Sequence, residues 1–86
     1  MKNLESIDRI IQVNDICIGK NICELRKQKN IKQNEMVAKL QIVGIDISIY
    51  SYNRIEKGTQ NPTVSLLLAI CSILSCDVNA LFGMHI

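Results

Sequence analysis

The sequence predicts an all-α domain built from five helices, and three observations carry the prediction. Apolar residues recur at three- and four-residue intervals in the segments that begin at Ile18, Gln33, Ile49 and Val64. The punctuation is helical: Ser48, Thr63 and Asp77 stand at N-cap positions, and Asn30, Gly44, Gly58 and Gly83 stand at stops. The composition is 48% apolar but only 3% aromatic, with one Pro and four Gly, which argues against both disorder and a turn-rich β-protein. At 86 residues the chain is the size of one domain with a modest core of Leu, Ile and Val.

The first helix runs from Ile18 to Lys29, with Ile18, Ile22 and Leu25 as its apolar stripe and Asn30 as a left-handed stop. The second spans Gln33 to about Val43, with Met36, Val37, Leu40 and Val43 facing inward. Glu35 suits its first turn, while Lys32 cannot cap it. Gly44 ends it, Ile45-Asp46-Ile47 is extended, and Ser48 caps a third helix, Ile49 to Lys57, in which Tyr52 and Ile55 face the core. After the Thr59-Gln60-Asn61-Pro62 loop, Thr63 caps the fourth helix, Val64 to Leu74. Asp77 caps the last, Val78 to Phe82, ended by Gly83. Residues 1–16 read as an arm or a short extra helix, with Leu4, Ile7, Ile10 and Ile11 at helical spacing, and IIQVNDICI also compatible with an extended segment. Residues 17–86 form the domain.

Charge is unevenly placed. Between Lys20 and Lys57 eight basic residues face four acids, a net of +4, whereas after Gly58 only Asp77 is charged. A basic half points to a polyanionic partner, or more simply to solvated helix faces. Cys17, Cys23, Cys71 and Cys76 form no C-x-x-C, and His85 is the single histidine, so no metal site is expected. Cys23 and Cys71 fall at apolar positions and read as small core residues, as Cys76 can too. The N-terminal MKNLESIDR lacks the apolar stretch of a signal peptide, so a cytoplasmic protein with reduced thiols is expected. The longest apolar run, Val64–Cys76, is too short to span a bilayer and holds three serines. No catalytic constellation, phosphate-binding glycine loop or cofactor motif is present, so neither enzyme activity nor a cofactor is expected.

The segments IGKNICELRKQKNIKQNEMVAKL, SIYSYNRIEKG and NPTVSLLLAICSILSCDVNALFG, in that order, resemble the first two, the third and the last two helices of the Cro and lambda-repressor-like (XRE) family of helix-turn-helix domains. The likeness covers roughly residues 17–83. It implies a five-helix fold whose third helix is the recognition helix. It also implies that Gln33 contacts a phosphate and orients recognition side chains, and that Arg26 and Glu56 form a salt bridge tying the first helix to the third.

The chain departs from the family pattern in three places. Six residues, Gln41 to Asp46, separate Leu40 from Ile47-Ser48, where about two are usual. QIVGIDI therefore reads as an extra turn and a longer link, with Ile42, Val43, Ile45 and Ile47 packed beneath or alongside. Val37 replaces the usual alanine, and Ile49 and Tyr50 open the third helix where Gln, Arg or Ser are common.

A recognition helix reads base edges with side chains near its N-terminus, here Ile49, Tyr50, Ser51, Asn53 and Arg54. Arg54 suits a guanine edge, Asn53 an adenine edge, Ile49 a thymine methyl and Tyr50 a phosphate or sugar. Lys57, Thr59, Gln60 and Lys39 are candidate phosphate contacts, and the N-termini of the second, third and fourth helices can add backbone N–H groups. The apolar C-terminal third (Leu66, Leu67, Leu68, Ile70, Ile73, Leu74, Leu81, Phe82, Met84 and Ile86) exceeds what one helix face needs and suggests a homodimer contact. Taken together, these features predict a small, double-stranded-DNA-binding regulator, a repressor, with no membrane segment. The alternative is a protein-interaction module that keeps the fold with weak or no DNA binding, suggested by Ile49 and Tyr50.

Overall fold

The computed structural model describes residues 17–83, which form five helices with no strand among them. The arm or helix expected for residues 1–16 lies outside the described residues, as do Met84, His85 and Ile86. The helices are α1 Ile18–Gln28, α2 Gln33–Ile42, α3 Ile49–Lys57, α4 Val64–Leu74 and α5 Val78–Phe82. Only the ends of α1 and α2 differ from the sequence reading, each by one residue, which is ordinary fraying at a helix terminus.

The caps explain the boundaries. Ser48 Oγ accepts the Ser51 N–H at 3.1 Å, Thr63 Oγ1 the Leu66 N–H at 3.1 Å, and Asp77 Oδ1 the Ala80 N–H at 3.0 Å. Lys32 has no acceptor to offer α2, and Glu35 compensates by taking the Lys32 backbone N–H at 3.2 Å. At the other ends Asn30 (φ 57°) and Ser75 (φ 53°) adopt the left-handed conformation that usually falls to glycine. Gly44 (φ 93°) closes α2, and the Ile45 N–H returns to the Leu40 carbonyl at 2.9 Å.

The core is assembled from one face of each helix: Ile18 and Ile22, then Met36, Val37 and Leu40, Tyr52 and Ile55, Leu66, Leu67, Ile70, Cys71 and Leu74, and Leu81. Helix α1 packs on α3, α4 and α5, while α2 packs on α3 and α4. Asn21 stitches α1 to α5 by donating to the Leu81 carbonyl at 2.8 Å. Gly19 lets α1 and α3 approach closely, because a Cβ there would sit 2.7 Å from the Glu56 carbonyl oxygen and closer still to that of Ile55.

The long link behaves differently from expectation in one half. Ile45 and Ile47 do pack against the core. Ile42 and Val43 do not: they are 83% and 55% exposed, because α2 stops at Ile42 and Gly44 turns the chain before either side chain reaches the interior. Of the apolar C-terminal third, Leu66, Leu67, Ile70, Leu74 and Leu81 are buried and Ile73 and Phe82 pack against the core. Among the described residues most of that excess is therefore internal; Leu68 of that set stays exposed, and Val64 and Val78 are exposed as well. Cys71 is buried, Cys23 and Cys76 are half-buried, and Cys17 is exposed; none of the four is in a disulfide. No described helix is long and apolar enough to cross a membrane, and no metal-binding cluster occurs among the described residues.

Candidate nucleic-acid interface

Helix α3 presents two faces. Tyr52, Ile55 and Glu56 turn inward, and Tyr50, Arg54 and Lys57 turn outward, with Ser51 and Asn53 between. A helix this short is not stable alone, so its orientation is set by what holds the inner face. That hold is polar as well as apolar. Arg26 on α1 grips Glu56 with two parallel hydrogen bonds, Nε to Oε2 at 2.7 Å and Nη2 to Oε1 at 3.1 Å. Its Nη1 donates to the Ile31 carbonyl at 2.7 Å, and Nη2 lies 3.7 Å from Cys23 Sγ. The guanidinium therefore joins α1, the α1–α2 link and α3 in one cluster.

Gln33, the first residue of α2, extends the cluster. Its Nε2 donates to Glu56 Oε1 at 3.0 Å, and its Oε1 accepts from Asn53 Nδ2 at 3.1 Å. The Arg26–Glu56 pair, expected from the sequence, is thus the inner end of a chain that reaches the surface at Asn53. Asn53 keeps its Oδ1 and its second N–H, the pair that an adenine edge requires.

The electrostatics follow from burial and partners. Desolvation works against the Glu56 carboxylate, but the hydrogen bonds from Arg26, the nearby Tyr52 hydroxyl and the hydrogen bond from Gln33 outweigh it and hold its pKa below the usual value. The Glu56 hydrogen bond raises the Arg26 pKa further, against desolvation. The Tyr52 hydroxyl is fully buried and makes no hydrogen bond among the described residues, yet it lies near enough to Glu56 to help hold the charge. Burial first, and then Glu56, push the Tyr52 phenol well above its usual pKa.

The outward side gathers several of the expected residues. Gln33, Ile49, Tyr50, Asn53 and Arg54 line one open groove of about 420 Å³. Ile49 is half-buried against the core and forms an apolar part of that groove, while Tyr50 is 77% exposed. Ser51 sits one turn before Arg54 and contributes its N–H to the Ser48 cap and its Oγ to Arg54. Lys57 and Lys39 are exposed. Thr59 donates its hydroxyl to the Arg54 carbonyl at 3.2 Å, so it also helps to end α3. Because Arg26 and Glu56 cancel each other inside, seven exposed basic residues face three exposed acids between Lys20 and Lys57, and the net +4 stays on the surface.

The sequence reading missed Gly19, whose importance depends on a backbone approach that no spacing encodes, and the hydrogen bonds from Arg54 to Ser51 and Gln60. Proximity of Gln60 to Arg54 across Gly58 was the one signal available for the latter.

A helix-turn-helix family model matches residues 24–81, well over half of the chain. The chain belongs to the lambda-repressor-like (XRE) helix-turn-helix family. A search of curated proteins returned no match. The family is one of DNA-binding regulators and is not typically enzymatic, and the all-helical fold agrees with it.

Proposed function

We propose that this domain is a transcriptional repressor that binds double-stranded DNA as a homodimer, with α3 in the major groove. The observation that carries the reading is the Arg26–Glu56–Gln33–Asn53 chain, which holds α3 from within and leaves an open groove on its outer side, where Asn53 and Arg54 stand beside Ile49 and Tyr50. Fixing the helix angle before contact removes an ordering cost from binding. Gln33, Ile49, Tyr50, Ser51, Asn53 and Arg54 form the groove-facing set, and Lys57, Thr59 and Lys39 are the proposed phosphate contacts. Only Asn53 and Arg54 offer paired base contacts, so phosphates supply much of the affinity and each half-site is read modestly.

Exposed Val64, Leu68 and Val78 support a two-fold contact through the C-terminal third, which would set two α3 helices about one DNA turn apart. Sedimentation would detect the dimer, and Leu68→Glu is expected to dissociate it. The proposed helix-turn-helix domain spans residues 17–86, and the proposed place of action is the cytoplasm.

A second reading rests on exposed Tyr50, Ile42 and Val43, which suit an apolar protein partner. Titration of random-sequence duplex at low and moderate salt separates the two. DNA binding weakens steeply with salt, whereas an apolar protein contact does not.

A further inference from the structure

A guanidinium has two edges that can make paired hydrogen bonds. The side edge is Nε–H with one N–H of Nη2, and the end edge is Nη1 with the other N–H of Nη2. Arg26 uses its side edge on Glu56. Arg54, although exposed, also directs its side edge inward: Nε donates to Gln60 Oε1 at 3.1 Å, and Nη2 reaches Ser51 Oγ at a longer 3.5 Å.

Both acceptors stand on fixed backbone. Ser51 is in the first turn of α3, held by the Ser48 cap. Gln60 lies in the short α3–α4 loop. At one end of that loop the Thr59 N–H and hydroxyl both bond to the Arg54 carbonyl, at 2.9 and 3.2 Å, and at the other Pro62 is fully buried. The loop that follows the recognition helix therefore reaches back and holds one of its side chains.

We infer that Gln60 is a positioning residue for base reading. It holds the Arg54 side edge, leaving the end edge to pair with O6 and N7 of a guanine. The inference rests on the DNA-binding reading above. It changes the part given to Gln60, from a phosphate contact to a residue that acts through Arg54. Ser51 joins it as the weaker acceptor. An arginine free to rotate offers either edge to a base or a phosphate and discriminates less, because its side-chain freedom is lost only on binding.

The test is selection of preferred sites from a randomised duplex library with four full-length proteins: the parent, Arg54→Ala, Gln60→Ala and Gln60→Glu. The parent is expected to select a guanine in each half-site that Arg54→Ala no longer selects. In Gln60→Ala the preference for that guanine falls by roughly threefold to tenfold, the scale of one exposed hydrogen bond, while the salt dependence of total binding is unchanged. Gln60→Glu, whose carboxylate also accepts from Nε, keeps the preference. Full preference in Gln60→Ala, or an equal loss on every sequence, would overturn the proposal, and the second result would return Gln60 to the phosphate contacts. DNA binding without any Arg54-dependent base preference would overturn it while leaving the DNA reading intact. Absence of parent binding at low salt would remove both.

Discussion

Arg26 and Glu56 are the residues on which the orientation of α3 most depends. Their side chains are only 8% and 3% exposed, so removing one partner strands a charge in the interior. Arg26→Ala is expected to cost about 3–5 kcal/mol, while replacing both partners by apolar residues of similar size costs much less. Urea denaturation of the single and double variants checks this. Acid provides a second check. The folded pKa of Glu56 is depressed, so its contribution is complete above the ordinary carboxylate range and disappears as pH falls through the lower folded value. Stability should therefore fall on acidification below about pH 4, and Glu56→Gln should flatten that limb. The pair was legible in the sequence because Arg26, Gln33 and the RIEKG segment sit in a familiar order. The Gln33–Asn53 bond was only half legible, since its existence depends on side-chain geometry across two helices.

Among the elements, the α2–α3 link is where local signals and packing part company. Gly44 and Ser48 were readable as a stop and a start, and Ile45 and Ile47 pack as their spacing suggests. Ile42 and Val43 look like core residues by chemistry and are exposed by position. No periodicity in one sequence shows where a helix face runs off the edge of its partners. Ile42→Ser and Val43→Ser are accordingly expected to change stability by no more than about 0.5 kcal/mol. Gly44→Ala should cost about 1–2 kcal/mol, because the left-handed turn is strained for any side chain although the space around it is open. Thermal melts of the three variants test both halves of this account.

In the whole molecule, one close contact and one charge distribution connect fold to function. Gly19 sets the distance between α1 and α3, and Gly19→Ala should destabilise by about 1–3 kcal/mol as α3 is pushed away. The fold class and all five helices were readable from periodicity and caps, whereas this approach was not, since it is made by backbone carbonyls of residues far away in sequence. The surface charge was readable in sum: the +4 between Lys20 and Lys57 survives folding because its buried members are an opposite pair. The most direct test is binding of the full chain to random-sequence duplex at low and moderate salt, with Arg54→Ala beside the parent. Binding that falls steeply as salt rises and weakens in the variant is the predicted result. No binding at low salt would contradict the assignment of α3 to DNA.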